Sequence, residues 1–151
     1  MSTQTIQGFT VRLDRAYDCQ HHMWVEVIGL ERVRIGMDPL GLETSGSLAQ
    51  LQFSPPGTIV GRGGEVGSLE AEKFVGPLVA PLGGTISAIN EAAMAEPSLV
   101  ERDPYGGGWM IELQTADLAT DLAALTRGED AIIAEFERKI DEFRRDGVLA
   151  E

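Results

Sequence analysis

From residue 9 to residue 113, glycine and proline cut this chain into apolar runs too short for core helices. The chain of 151 residues has 18 glycines and 7 prolines, and between them apolar residues recur at period two. Phe9, Val11 and Leu13 alternate. Trp24 to Ile28 is an apolar-rich run closed by Gly29, and the alternating Val33, Ile35 and Met37 follow, which predicts a hairpin. Leu51 and Phe53 precede Pro55-Pro56-Gly57. Ile59-Val60, Val66 to Leu69, Leu78 to Ala80, Ile86 to Ile89 and Trp109 to Leu113 continue the series. Many short strands, each bounded by turn residues, predict a mainly β fold.

The pattern changes after residue 116. Leu118, Leu122 and Leu125 are spaced four and three apart, the helical period, with Asp117 placed to cap the first turn and Arg127-Gly128 to stop it. A second apolar stripe, Ile132, Ile133, Phe136, Ile140 and Phe143, runs to Gly147. These features predict two C-terminal helices packed on the β part. The expected organisation is one domain over 1–151, with a β core at about 9–114 and a helical segment at about 116–147. A short echo, Gly57-Thr58-Ile59 against Gly84-Thr85-Ile86, brackets residue 73 and suggests two similar halves folding about a central hairpin.

Composition excludes several classes of function. The net charge of −12 repels polyanions, so neither nucleic acid nor an anionic membrane is an expected partner. Mean hydropathy is −0.04, and Met1 to Gln7 holds no apolar run of the kind a signal peptide needs. Cys19 is the lone cysteine, which forbids an internal disulfide and fits a cytoplasmic protein. No Ser/His/Asp or Cys/His motif frames it. The glycine-rich stretches lack the Gly-Lys-Ser/Thr ending of a phosphate loop. His21 and His22 are adjacent and would point to opposite faces of a strand, which argues against a shared metal.

The basic residues are nearly all arginine; only Lys73 and Lys139 are lysines. Lys139 lies in the predicted last helix, where a charged face explains it. Lys73 lies in Glu70-Ala71-Glu72-Lys73-Phe74-Val75-Gly76-Pro77, near the middle of the echo. A primary amine on a flexible stem at a turn can form an amide and so become a swinging arm, which an arginine cannot. The simpler reading is a solvated lysine between acids.

Longer motifs add a resemblance. Asp103-Pro104-Tyr105-Gly106-Gly107-Gly108-Trp109 resembles the D-P-Y-G-x-G-W signature of the glycine cleavage system H protein family. Asn90-Glu91-Ala92 with Pro97 and Leu99-Val100 is similar to that family's N-E-A…P-x-L-V segment, and His22-Met23-Trp24-Val25 to its H-E-W-V. Gly57, Val60, Gly63 and Gly67 follow its glycine and valine spacing, and Ala80-Pro81-Leu82-Gly83-Gly84 its A-P-V-S-G. The similarity runs from about Tyr17 to Leu113. It implies a barrel-sandwich hybrid, a non-catalytic carrier rather than an enzyme, and lipoate bound as an amide at Lys73. Glu70, Glu72 and Phe74 would flank the modified lysine, and His22 would lie near the arm.

The departures from the family pattern are chemical. The resemblance implies that polar side chains of an S/E-H-E-W segment, and an Asp four residues after the lysine, hold an aminomethyl cargo. Those places here hold His21, Met23 and Pro77. Losing two acids removes charge-assisted hydrogen bonds worth roughly 1.5–3 kcal/mol each. In this respect the chain resembles the lipoate-binding proteins of the heterodisulfide-reductase-like bacterial sulfur oxidation system. The expectation is therefore a carrier of sulfur-bound intermediates. Its expected partners are a heterodisulfide-reductase-like complex, a lipoate ligase or lipoyl-assembly enzymes, and dihydrolipoamide dehydrogenase, and it is expected to be monomeric. The alternative is a glycine cleavage H protein carrying the aminomethyl group. A biotin carrier fits poorly, because Glu72 and Phe74 rather than methionines flank the lysine. An unmodified scaffold of the same fold is the reading from outside the carrier class.

Overall fold

The computed structural model describes residues 3–149. Three antiparallel sheets carry the chain. A two-stranded sheet joins β1 (Thr3–Ile6) and β2 (Phe9–Arg12). A six-stranded sheet has strands β3 (Ala16–Asp18), β4 (Met23–Val27), β5 (Arg32–Met37), β7 (Ile59–Val60), β10 (Gly84–Ile89) and β11 (Ile111–Gln114), in the order β3-β4-β5-β11-β10-β7. A three-stranded sheet holds β6 (Leu48–Phe53), β8 (Glu65–Ala71) and β9 (Val75–Val79), in the order β6-β8-β9. Helices α1 (Pro39–Ser45), α2 (Glu91–Ala95), α3 (Ser98–Arg102), α4 (Leu118–Ala123) and α5 (Glu129–Arg145) lie between and after the strands. This is the mainly β fold with C-terminal helices that the strand and helix patterns predict, in the barrel-sandwich arrangement that the family resemblance implies.

Period-two alternation builds two cores on opposite faces of one strand. In β4, Met23 and Val25 point into the core between the two larger sheets, where Val33, Ile35, Leu51, Val66, Leu69, Ile86, Ile111 and Leu113 meet them. Trp24, between them, faces the other way into a second core formed by the N-terminal hairpin and α5. That is why Met23-Trp24-Val25 is apolar throughout: both faces of the strand are buried. On α5 the residues at spacing four, Ile132, Phe136 and Ile140, form the buried stripe, each worth roughly 1.5–3 kcal/mol on full burial.

The internal echo is a pairing. Ile59 lies opposite Thr85 and Val60 opposite Gly84. The Gly57 amide donates to the Ile86 carbonyl (2.7 Å) and the Ile86 amide to that of Thr58 (2.8 Å). Between the echoes, β8 and β9 pair Leu69 with Gly76 and Glu70 with Val75. Both registers centre on the same point of the chain, beside Lys73.

Some expectations need correction. The strands begin at Thr3 rather than near residue 9, since Thr3–Ile6 pairs with Phe9–Arg12. The last strand of the β region starts at Ile111, two residues after Trp109. Asp117 does cap α4, its carboxylate accepting from the Thr120 amide (3.3 Å). The helix ends at Ala123, however, leaving Leu125 outside it, and Gly128 (φ +90°) precedes α5 rather than closing α4. The Thr126 backbone explains the early stop: it leaves the helix to exchange hydrogen bonds with Tyr17 (2.8 and 2.9 Å).

The motif loop at 103–109 is scaffolding. The Asp103 carboxylate accepts from the Gly107 amide (2.8 Å), and Asn90 Nδ2 donates to the carbonyls of Gly107 (2.8 Å) and Trp109 (2.6 Å). A Cβ at Gly108 would sit 2.7 Å from both the Asp103 carbonyl and the Val100 Cα, so only glycine fits. The loop in turn holds Trp24, whose Nε1 donates to the Pro104 carbonyl (3.0 Å). The Tyr105 hydroxyl meets that of Tyr17 (2.8 Å), and the Tyr17 hydroxyl donates to the Arg12 carbonyl (2.6 Å). Burial pushes both phenols above their ordinary range.

Candidate functional site

Lys73 is at the tip of the β8–β9 hairpin. The Ala71 amide donates to the Phe74 carbonyl (2.8 Å), leaving Glu72 and Lys73 as the turn. Glu70, Glu72, Lys73 and Phe74 are all exposed. The tip is nevertheless held in place. The Glu72 amide donates to the Ser47 carbonyl (2.9 Å) and the Lys73 amide to that of Ser45 (2.8 Å). The backbone is thus fixed while the amine at the end of its stem stays free to react.

Gly46 makes this close approach possible. Its backbone lies at φ +77°, ψ −164°, a region essentially restricted to glycine. A Cβ there would lie 2.6 Å from Glu72 Oε1. Gly46→Ala is expected to cost about 1–3 kcal/mol and to loosen the tip. Urea denaturation checks the first effect, and faster amide exchange at Glu72 and Lys73 checks the second.

A cleft of about 460 Å³ opens beside Lys73, a volume in the range of sites that hold small organic ligands. The hairpin contributes Lys73, Phe74 and Pro77 to its lining. The turn between β3 and β4 contributes His21 and His22, and β4 contributes Met23. Met37 of β5 and Thr44 and Ser45 of α1 line it too. The three places where this chain departs from the family pattern, His21, Met23 and Pro77, therefore line one cavity together with Lys73. Among the described residues no aspartate or glutamate lines it.

Each lining residue has a local reason for its position. Pro77 stands on β9, which pairs only with β8, so its missing N–H costs no ladder bond. Met23 and Met37 face each other across the β4–β5 pairing. His21 and His22 are not on a strand, which corrects the opposite-face expectation. They lie in the turn, with His22 at φ +61°, and both reach the cleft.

His21 and His22 have different partners. His21 Nδ1 is 2.9 Å from Asp18 Oδ2, and its backbone amide donates to Asp18 Oδ1 (3.3 Å). His22 Nδ1 is buried without a hydrogen-bond partner, 3.6 Å from Asp38 Oδ1. Asp38 is fully buried and caps α1 by accepting from the Gly41 amide (2.8 Å). The His22 ring lies 5.8 Å from that of Phe143. Cys19, between these groups, is buried, and its thiol is pushed up to about 12 chiefly by that burial and next by the Asp38 charge. It is a packed side chain, not a nucleophile.

Met37, Thr44 and Ser45 are cleft residues that the sequence reading did not single out. Met37 had a partial signal: the hairpin the sequence predicts brings it near Met23, and the observed register, centred on Leu30, sets the two opposite each other. Thr44 and Ser45 had none, because nothing local says that α1 folds back over the hairpin tip.

The family model "Glycine cleavage H-protein" matches residues 15–137. "Glycine cleavage system H protein 2" of Aquifex aeolicus is 34% identical over 126 residues, covering 83% of this chain and 78% of that one. The "Glycine cleavage system H protein" of Salinibacter ruber is 36% identical over 118 residues, covering 78% and 93%. The crystal structure of a glycine cleavage system H protein from Mycobacterium marinum superposes with a TM-score of 0.70 at 28% identity, covering 80% of this chain and 95% of that chain. Among the described residues no helix is long and apolar enough to cross a membrane. With its fold, its scaffolding motif loop and these relatives, the chain belongs to the glycine cleavage H-protein family, whose members are non-catalytic carriers of lipoate held covalently on a lysine.

Proposed function

We propose that Lys73 is the lysine that carries lipoate and that the chain shuttles lipoyl-bound cargo between partner enzymes. One observation carries this reading: an exposed primary amine, on a backbone tip pinned to Ser45 and Ser47, beside a cleft of about 460 Å³. When bound, lipoate supplies a dithiolane for thiol–disulfide exchange and group transfer. The chain's own residues hold the attachment point still, present it next to the cavity and flank it with Glu70 and Glu72. Amide formation consumes the neutral amine, so a ligase must take up the proton of the lysine during acylation. The work is divided among a ligase that loads the arm, a dehydrogenase that reoxidises it and an enzyme that loads cargo.

The names of the relatives support glycine cleavage, with the aminomethyl group as cargo. A second reading, a neutral or sulfur-bound cargo passed to a heterodisulfide-reductase-like complex, is favoured by the absence of a carboxylate from the cleft. An ammonium in such a cavity would lack the acids at the Met23 and Pro77 positions. The test is loading of the lipoylated protein by glycine decarboxylase, followed by mass spectrometry of the retained aminomethyl adduct. The sulfur reading expects the wild type to lose the adduct quickly and Met23→Glu/Pro77→Asp to retain it at least tenfold longer, since each restored charge-assisted hydrogen bond is worth roughly 1.5–3 kcal/mol. Equal retention in the two proteins would sink that reading and leave glycine cleavage in place.

A further inference from the structure

We propose that Asp18 and His21 form a dyad that accepts the proton of a thiol held in the cleft, poising the reduced arm for sulfur exchange. The proposal rests on the lipoyl-carrier reading above and concerns how the cleft acts on its contents.

An ionised carboxylate can only accept hydrogen bonds. At 2.9 Å from Asp18 Oδ2, His21 Nδ1 therefore carries the hydrogen, which leaves the lone pair on Nε2. Among the described residues no hydrogen bond engages Nε2, and the ring lines the cleft. Asp18 is mostly covered, its side chain 11% exposed, while that of His21 is 36% exposed. The carboxylate is thus firmly placed behind the ring, and the ring reaches both the cavity and water. A base whose other nitrogen is oriented by a third group is the arrangement that activates nucleophiles. The second hydrogen bond, from the His21 amide to Asp18 Oδ1, fixes the turn that aims the ring.

The other titratable groups nearby are arranged differently. His22 has no tautomer set by a hydrogen bond, its Nδ1 lying 3.6 Å from Asp38. Lys73, on the hairpin wall, would be a neutral amide once loaded. Glu135 and Lys139 of α5 act on Cys19, behind the turn. Asp18–His21 is therefore the pair with both a fixed acceptor nitrogen and access to the cleft.

The step is a proton transfer alone. The S–H bond breaks, an N–H bond forms at His21 Nε2, and the electron pair stays on sulfur as thiolate. No electrons pass to another group, and the proton stays on the ring, where the imidazolium, backed by Asp18, pairs with the thiolate and lowers the thiol's pKa. The thiolate is the reactive form in sulfur exchange; a cysteine thiol of pKa about 8.5 is only a few per cent ionised at pH 7, and an unassisted alkyl thiol less.

The experiment uses the full chain, lipoylated by a lipoate ligase and reduced with a phosphine. The initial rate of alkylation by iodoacetamide is followed on the Lys73 peptide from pH 5 to 10. His21→Gln is expected to raise the pH midpoint by about one unit. It should slow alkylation at pH 7 by about threefold, because the loss of thiolate is partly offset by the higher intrinsic nucleophilicity of a more basic thiol. Asp18→Asn, which keeps an acceptor but removes the charge, is expected to shift the midpoint less and in the same direction. His22→Gln is expected to leave it unchanged. Superimposable profiles for wild type and His21→Gln, with the Lys73 peptide carrying the lipoyl mass in both, would overturn the dyad and leave the carrier reading standing. Absence of the lipoyl mass from the wild-type peptide after ligase treatment would overturn both.

Discussion

Lys73→Arg is expected to abolish covalent loading completely while leaving the fold intact. Amide formation needs a primary amine that can lose a proton, and a guanidinium with a pKa above about 12 stays charged. Lys73 is exposed, and its ammonium makes no ion pair or hydrogen bond among the described residues. The contacts that fix the tip come from the backbone amides of Glu72 and Lys73, which the substitution keeps. The stability change should lie within about 0.5 kcal/mol, as for other surface substitutions away from structural features. Lys139→Arg is the control: it sits on α5, where its amine lies over the Phe143 ring, and its loss should leave loading untouched. Intact mass after ligase treatment checks both. A lipoyl adduct on the Lys73→Arg protein would move the attachment site to Lys139.

The second large effect belongs to Trp24. Trp24→Ala is expected to destabilise the fold by about 3–5 kcal/mol, the usual cost of removing a fully buried large aromatic. For a chain of this length that lowers the melting temperature by roughly 6–20 °C. Trp24 is 0% exposed, and its ring packs beside Tyr105 with the Arg15 guanidinium 5.5 Å from its centroid. Its Nε1 ties β4 to the motif loop through the Pro104 carbonyl. Opposite it in the sheet stands Gly36, where a Cβ would come within 2.5 Å of the indole. Trp24→Phe keeps the ring packing but leaves Pro104 without its donor, and should cost about 1–3 kcal/mol. Thermal and urea unfolding separate the three proteins. Because Met23 faces the cleft from the next position, the Ala variant should also load more slowly than Phe at temperatures where both are folded.

These expectations show where local sequence was informative. The strands with two or more buried residues at period two, such as Val33 and Ile35 or Leu51 and Phe53, were legible because their alternation is the core contact itself. The N-terminal hairpin was not. In β1 only Ile6 is buried, so the strand has no periodic signal. Its turn, Gln7-Gly8 with both φ values positive, is the trace that could have shown it. Helix α1 carried Asp38 as cap and Pro39 in its first turn, but its seven residues include glycine and hold no long apolar stripe. Helices α2 and α3, five residues each, end before helical periodicity can register.

The site divides the same way. The hairpin tip at Lys73 was legible in outline, because the echo on either side of it is the pairing of two strands; the choice of Lys73 as attachment point came from the family resemblance and not from composition. The cleft could not, because its walls come from segments near residues 20, 40 and 75 that only the folded chain brings together. The turn histidines illustrate the limit: treated as strand residues they point apart, but the left-handed backbone at His22 brings both to the same cavity.

The most direct measurement of the account is peptide-level mass spectrometry of the protein isolated from the cells that make it. A lipoyl amide is expected on the peptide containing Lys73 and none on the peptide containing Lys139. A wholly unmodified Lys73, in cells whose other lipoyl proteins are loaded, would contradict it.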